Sequence, residues 1–310
     1  SGLILSKISR IEISPFPIAS ISWSVLPNPN FLYAAFISSN KFSNFKNYSE
    51  AELAFSPQIN CFLGPNGSGK TNLLDAIFYL AFTKSAEQSQ DAQCILHGES
   101  YFSILGRFNL NEKHRKVLCA LQTGKKKQIK LDDKPYKKAS EHIGKFPAVL
   151  IAPNDTDVIR GASEERRKFF DAIISQVDAV YLNNLIAYNH ALKQRNSLLK
   201  RFAENDRFDK DLLEPFTLKL IELGEAIYKV RKEFVQFFTP YLERHYQVLS
   251  EEKEQVSMVY QSHFHQSVKE QFEASLQKDR VLKRTNVGVH KDDFDFEMND
   301  RPIKKFGSQG

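Results

Sequence analysis

Cysteine, tryptophan and methionine are scarce in this chain of 310 residues, which has three cysteines, one tryptophan and two methionines. Cys61, Cys94 and Cys119 lie far apart, and no C-x-x-C spacing occurs. This pattern predicts neither a zinc site nor a disulfide framework. It favours the reducing cytoplasm as the location of the protein.

Charged residues are absent from residues 13–40. Four prolines in this stretch interrupt any helix long enough to cross a bilayer: Pro15, Pro17, Pro27 and Pro29. Lys7 and Arg10 precede the apolar stretch, as in a signal peptide, but the prolines break the apolar core that such a peptide needs. We therefore expect residues 1–34 to be a poorly ordered or non-native extension, with secretion as the alternative and no membrane span.

Basic residues exceed acidic ones, which gives a formal net charge of +6 and a pI near 9.0. Such a balance favours a polyanionic partner such as nucleic acid. With 42% hydrophobic residues and a mean hydropathy of −0.41, the chain can bury the core of one large or two medium domains.

A complete phosphate-binding motif, G-x-x-x-x-G-K-[ST], occupies residues 64–71. Its members are Gly64, Pro65, Asn66, Gly67, Ser68, Gly69, Lys70 and Thr71. The glycines let backbone N–H groups turn around phosphates, Lys70 is expected to reach the β and γ phosphates, and Thr71 to hold Mg²⁺. The motif predicts binding of ATP or GTP.

The residues on either side of this motif fit a strand, loop and helix in that order. The apolar run 59–63 predicts a buried strand, and residues 72–82 predict a helix. We expect the apolar side of this helix to be Leu73, Leu74, Ile77, Phe78 and Ala81. The N-terminus of the helix would add its partial positive charge at the phosphates.

Further strands are predicted at residues 48–55, 101–110, 116–121 and 128–131, with a hairpin turn at Asp132-Asp133-Lys134. Seven lysines surround that hairpin: Lys125, Lys126, Lys127, Lys130, Lys134, Lys137 and Lys138. They suit a nucleic-acid backbone and equally suit a solvated sheet edge protected against aggregation. The sequence leaves these two interpretations open.

From Ala162 onward the apolar spacing becomes helical. One series runs from Ile174 to Leu192, and a second runs from Phe216 to Tyr241 in steps of four and three. The two series predict an antiparallel helix hairpin, with Pro215 in the first turn of its second helix and Pro240 kinking or ending that helix. A further helix is predicted near 266–283, and strand character returns after Val287.

The sequence lacks a good candidate for the acid-bearing strand of a phosphate-loop hydrolase, in which about four apolar residues end in a Mg²⁺-binding carboxylate. Val149-Leu150-Ile151 comes closest, but three residues separate it from Asp155. His263 and His265 alternate like strand residues without a nearby acid or cysteine, so metal binding there is not expected.

Four separated blocks of this sequence resemble the RecF family of bacterial recombination proteins: NFKNY at 44–48, GPNGSGKTNLLDAI at 64–77, APNDTDVIRGASEERRKFFD at 152–171 and GVHKDDFDFEMNDRPIKKFGSQG at 288–310. The resemblance spans residues 35–310. It implies an α/β fold, a P-loop lobe of the ABC/SMC ATPase type with an inserted helical arm. The implied domains are an ATPase lobe at 35–161, the arm at 162–285 and a return to the lobe at 286–310.

The resemblance also implies site residues. Lys46 takes the place of a family arginine that contacts nucleotide phosphate, although lysine lacks the planar fork of arginine. Asn72 joins Gly64 to Thr71 in the ATP site. Ser308 matches the serine that opens the ABC signature and would face the ATP of a second subunit. No catalytic set is complete, so we expect these 310 residues, which stop within the signature, to bind MgATP without hydrolysing it.

For function, the resemblance implies an ATP-dependent protein of DNA repair, replication and the SOS response. It would bind single-stranded DNA and junctions of single and double strands. When full length it would form an ATP-dependent homodimer with weak DNA-dependent ATPase activity, and it would act with RecR-like mediators and RecA-like recombinases. The alternative is an SMC-like head of a regulatory or defence ATPase that does not act at DNA gaps.

Overall fold

The computed structural model of the chain describes residues 35–110, 112–251 and 253–306. The predictions for residues 1–34 and for Ser308 lie outside these ranges. The chain divides into two compact units, one ending at Leu150 and the other beginning at Ile151.

The first unit contains a six-stranded antiparallel sheet and one long helix, α1 (Lys70–Phe82). The strands run in the spatial order β2-β1-β3-β4-β5-β6: β1 (Ala35–Phe45), β2 (Tyr48–Ala54), β3 (Tyr101–Leu110), β4 (Lys113–Gln122), β5 (Gln128–Leu131) and β6 (Lys134–Pro135). Two short 3₁₀ helices are Asp91–Cys94 and Ala139–Glu141. The strands predicted from alternation are therefore present.

The hairpin between β5 and β6 turns at Asp132 and Asp133, whose φ values are +49° and +64°. Two successive residues at positive φ form the turn whose twist matches that of flanking strands. Lys116 donates to Asp133, and the backbone N–H of Lys116 donates to Asp132, so the two aspartates also tie the turn to β4. The predicted hairpin turn is confirmed.

The predicted strand at 59–63 is wrong. Residues 59–63 have no strand conformation, and the side chains of Ile59 and Leu63 are 78% and 73% exposed. A strand needs a neighbour for its backbone N–H and C=O groups, and the described part of the chain pairs none with this run. An apolar run alone therefore did not determine its structure.

The apolar side predicted for α1 is only partly correct. Leu73 and Ala81 are buried, but Leu74 is 40% exposed. Tyr79 and Leu80, which the prediction omitted, are fully buried against Phe45, Phe102 and other aromatic and aliphatic side chains of the sheet. The helix is thus rotated about its axis relative to the predicted orientation.

The second unit combines helices with a three-stranded antiparallel sheet. Its helices are α2 (Asp157–Arg160), α3 (Ser163–Val177), α4 (Ala179–Glu204), α5 (Lys210–Leu249), α6 (Val268–Leu282) and α7 (Ile303–Phe306). The sheet has the order β7 (Val256–Gln261), β8 (Asp293–Met298) and β9 (Arg301–Pro302), and 3₁₀ helices occupy Pro153–Thr156, His263–His265 and Val289–Lys291.

Helices α4 and α5 form the predicted hairpin, and their apolar seams pack together through Tyr181, Tyr188, Leu220, Leu223 and Ile227. A second core joins α3 and α5 to the small sheet through Phe170, Val235, Met258, Phe294 and Phe296. Residues 151–161 and 286–306 therefore fold in the same unit as the helical arm. The predicted domains differ, because they assign both segments to the ATPase lobe.

Three local details of the helical region differ from the sequence predictions. The series from Ile174 to Leu192 spans two helices, because Asp178 ends α3 and caps α4 by accepting from the N–H groups of Val180 and Tyr181. Pro215 lies past the first turn of α5, and Pro240 does not end that helix. His263 and His265 lie in a 3₁₀ helix rather than a strand.

Candidate nucleotide-binding site

The loop between residue 63 and α1 has the backbone shape that phosphate binding requires. Gly67 and Gly69 have φ values of +80° and +95°, a region that residues with a Cβ adopt only under strain. Gly69 precedes the first residue of α1, and no side chain that the structure describes caps this end of the helix. The first amides of α1, with the positive end of the helix dipole, are thus available to an anion.

The side chain of Lys70 folds over this loop. Its Nζ donates to the carbonyl oxygens of Gly64 and Pro65, each at 2.8 Å. Both acceptors are neutral, so a phosphate oxygen offers the ammonium a stronger partner than either. Thr71 follows on the exposed first turn of α1, where a hydroxyl can reach a Mg²⁺ ion bound to phosphates.

The turn between β1 and β2 supports the loop from the side. Tyr48 donates its hydroxyl to the carbonyl oxygen of Gly69 at 3.1 Å, and Asn72 donates its side-chain amide to Asn47 at 2.7 Å. A Cβ at position 69 would lie 2.7 Å from Asn47 and 2.9 Å from the Tyr48 hydroxyl. Gly69 is thus required by its φ angle and by the close approach of this turn.

Lys46, the predicted phosphate contact, lies in that turn with its side chain only 7% exposed. Its Nζ is 2.8 Å from Asp75 of α1 and also bonds Glu87. Burial lowers the pKa of Lys46, but the hydrogen bonds to Asp75 and Glu87 outweigh it, so the pKa is raised. Its contact with nucleotide stays a prediction, and it requires the ammonium to leave at least one carboxylate.

Asp75 was not singled out in the sequence, yet it organises this side of the site. Its two carboxylate oxygens accept from Lys46, the Ser85 hydroxyl and the N–H of Ala86. The residue is 1% exposed, so it joins α1 to the following loop inside the unit. Sequence reasoning missed it, because its burial and its partners are visible only in the structure.

In the second unit, ion pairs bring together the other two conspicuous blocks, 152–171 and 288–310. Arg166 of α3 forms a bidentate pair with Asp293, with nitrogen-to-oxygen distances of 2.6 Å and 2.9 Å. Its neighbour Arg167 donates to the carbonyl oxygen of Asp292. The side chain of Arg166 is 2% exposed, which is tolerable for a guanidinium only because its donors are satisfied.

Arg231 of α5 lies at the centre of the same network. It donates two nitrogens to Asp171 and one to Asp292, at 2.9 Å and 2.8 Å, and bonds the carbonyl of Val289. Burial works against its charge, but nearby Tyr181, Asp171 and Asp292 hold the pKa of Arg231 well above its usual value. This cation is a fixed part of the core.

The loop 288–291 is shaped by a histidine and a glycine. His290 Nε2 donates to the carbonyl of Thr285 at 3.1 Å, and the Tyr188 hydroxyl therefore donates to Nδ1 at 2.8 Å. Burial lowers the pKa of His290 to about 4, so the ring is neutral at pH 7. Gly288 has φ +133°, and a Cβ there would lie 2.3 Å from the Tyr188 hydroxyl.

Comparison with known proteins places these features in one family. Residues 41–287 match the AAA domain family. The DNA replication and repair protein RecF of Cytophaga hutchinsonii is 48% identical over 268 residues, which cover 86% of this chain and 71% of the relative. This chain belongs to the RecF family. The protein of the same name from Flavobacterium johnsoniae is 46% identical, with 87% of this chain and 76% of the relative covered.

Solved RecF structures agree with this assignment. A structure described as the recombination mediator protein RecF-ATPrS in the RecFOR pathway aligns with a TM-score of 0.84 and 30% identity, covering 89% of this chain and 77% of that one. The corresponding RecF-ATP structure gives 0.83 and 29%, covering 91% and 79%. The predicted fold class is confirmed as far as an α/β ATPase lobe with a P-loop and a helical arm, as in these RecF structures.

The structure unites some of the predicted site residues and leaves others untested. Gly64 to Asn72 and the 44–48 turn lie in contact with one another, and the roles of all the predicted site residues in binding nucleotide stay predictions. Over residues 35–110, 112–251 and 253–306, no cluster of histidine, cysteine, aspartate and glutamate suits a metal ion. No helix within those ranges is long and apolar enough to cross a membrane.

Proposed function

We propose that this chain binds ATP with Mg²⁺ at residues 64–72, and that ATP controls its binding to single-stranded DNA and to junctions of single and double strands. The observation that carries the proposal is the shape of the loop, with positive φ at Gly67 and Gly69 and the Lys70 ammonium held by two neutral carbonyls. The relatives named DNA replication and repair proteins support the DNA role.

The proposal extends to partners. The protein promotes loading of a RecA-like recombinase at gaps together with a RecR-like mediator, in the cytoplasm. ATP brings two copies together, and Ser308 of one copy faces the nucleotide of the other. Solved relatives described as RecF-ATP and RecF-ATPrS support the nucleotide part.

A junction-binding assay tests the proposal. The unchanged chain should bind gapped duplex more tightly than blunt duplex of the same length, and only with MgATP present. Lys70→Ala should lose this preference, because ATP no longer binds. Equal affinity for the two DNAs with MgATP would contradict the gap-repair function and favour an SMC-like head that acts elsewhere.

We further propose that these 310 residues turn ATP over negligibly. The acids nearest to the required pattern are engaged elsewhere: Asp155 accepts from the N–H of Ala152 at 2.6 Å, and Asp292 and Asp293 pair with Arg231 and Arg166. Removing a group that stabilises the transition state typically costs about a hundredfold or more in rate. Steady-state phosphate release above that of Lys70→Ala, with or without DNA, would contradict this proposal.

A further inference from the structure

A basic pocket of about 350 Å³ opens in the second unit between α3, α4 and the 3₁₀ helix Val289–Lys291. Its charged walls are formed by two carboxylates and four cations: Glu164, Asp171, Arg167, Lys168, Arg231 and Lys291. Since a water molecule takes about 30 Å³ in the liquid, the pocket has room for a phosphate group with several waters.

Two of the four cations are neutralised inside the protein. Arg231 is paired with Asp171 and Asp292, as described above. Lys168 lies 3.0 Å from Glu164 and 3.1 Å from Glu165 on the same helix. Both carboxylates of the pocket wall are thus already engaged, and no acid among the described residues forms an ion pair with Arg167 or Lys291.

Arg167 and Lys291 have spare donors. A guanidinium has five N–H donors. In the described structure Arg167 uses one of them, which donates to the carbonyl oxygen of Asp292. The Lys291 ammonium makes no hydrogen bond or ion pair with any residue that the structure describes. Both side chains can therefore bind an anion without breaking an internal ion pair.

Their electrostatic surroundings also favour an anion. Burial, and then Arg231, lowers the pKa of Arg167 more than nearby Asp292 and Asp293 raise it. Burial, and then Arg284 and Arg167, lowers the pKa of Lys291 more than nearby Glu164 raises it. A negative ligand offsets both the burial of these cations and the repulsion between them. His290 adds no charge at pH 7, because burial lowers its pKa to about 4.

The geometry points to a binding site for a phosphate group of the DNA backbone in this basic pocket, contacted by Arg167 and Lys291. The inference rests on the proposed DNA-binding function and assigns to it a contact in the second unit. Such contacts, from arginine and lysine, fix the position of a protein on DNA without reading its sequence. A free phosphate ion has the same chemistry, so the experiment must separate the two.

Lys291→Ala is the first variant, because Lys291 is exposed and its ammonium bonds no residue in the described part of the chain. The control is Lys200→Ala, which removes the same charge from an exposed position of α4 outside the pocket. Affinity for gapped DNA with MgATP is measured over a salt series. Lys291→Ala should bind about tenfold more weakly, and the slope of log affinity against log salt should fall by about one.

Arg167→Lys is the second variant, because it keeps the charge but loses the fork of donors. It should weaken DNA binding less than Arg167→Ala, and both variants should keep the ATP affinity of the unchanged chain. Circular dichroism reports whether Arg167→Ala folds. If it does not, Lys291→Ala and Arg167→Lys still decide the question.

The remaining outcomes separate this inference from the proposed function. If Lys291→Ala and Arg167→Lys bind gapped DNA as Lys200→Ala does, the pocket inference is overturned while the DNA function stands. If the unchanged chain does not bind gapped DNA, both fall. If Lys291→Ala loses only thermal stabilisation by inorganic phosphate, the pocket takes a free ion and the assignment to DNA is overturned.

Discussion

The nucleotide loop of the first unit and the arginine network of the second hold their cations in opposite ways. Lys70 is half-buried, and its ammonium bonds two neutral carbonyl oxygens. The Arg231 side chain is 1% exposed and bonds two carboxylates. A phosphate can replace the carbonyls at little cost, whereas replacing a carboxylate would leave a buried charge unpaired.

This difference shows that a conspicuous sequence block does not reveal the role of its charges. The blocks at 64–77 and 152–171 both contain basic and acidic residues. In the first, Lys70 remains available to a ligand, while in the second Arg166 is used to join α3 to β8. Burial and the charge of the partner decide between binding and stability.

The largest effect is expected from Arg231→Ala. It leaves Asp171 and Asp292 without their shared partner, and breaking a buried pair in this way costs about 3–5 kcal/mol of unfolding free energy. Urea unfolding measures the loss. Lys219→Ala is the control, because Lys219 pairs with Glu222 in solvent, where such a pair contributes at most about 1 kcal/mol. Similar losses in both variants would contradict a structural role for Arg231.

A smaller effect is expected from acid, through His290. Burial lowers the pKa of its folded form to about 4, against 6.5 for the free side chain. Above pH 6.5 both states are neutral, so the residue has no effect. As the pH falls toward 4, the unfolded chain takes up a proton that the folded chain excludes, and this lowers the unfolding free energy by about 3 kcal/mol.

His290→Gln should remove that part of the acid dependence, although it also loses hydrogen bonds at every pH. The informative quantity is therefore the slope of unfolding free energy against pH between the two pKa values. His245→Gln, at an exposed position of α5, is the matched control and should keep the slope of the unchanged chain. An unchanged slope in His290→Gln would show that His290 accepts a proton in the folded state.

The smallest effect is expected from Tyr48→Phe in the first unit. The change removes the hydrogen bond to the Gly69 carbonyl, which is worth about 0.5–1.5 kcal/mol, and keeps the ring in place. We expect ATP affinity to fall a few-fold, because Gly69 is held less firmly. Tyr101→Phe, at a residue that is 44% exposed, controls for loss of a hydroxyl. ATP affinity equal to that control would remove Tyr48 from the site.

Patterns local in sequence predicted this fold well. The strands β3 and β5 have the predicted bounds, and the α4–α5 hairpin follows from its apolar seams. Both depend on the regular spacing of apolar side chains within each element. The run 59–63 failed, because a strand also needs a hydrogen-bonding neighbour, and a single run carries no information about its neighbour.

The candidate site shows the same limit. The loop 64–71 was evident from its motif, since its glycines and lysine act within eight consecutive residues. The sequence did not reveal that Lys46 pairs with Asp75 or that Arg166 pairs with Asp293, because the partners lie far apart in the chain. Contacts between distant residues depend on the packing of whole elements, which periodicity does not specify.

The most direct measurement for the account is a calorimetric ATP titration of Lys70→Ala, paired with its unfolding free energy. Loss of the charged contact should weaken MgATP binding by about 2–3 kcal/mol or more, while the unfolding free energy without nucleotide stays within about 0.5 kcal/mol of the unchanged chain. Unchanged ATP affinity would contradict the nucleotide site, and a large loss of stability would contradict the contrast with Arg231.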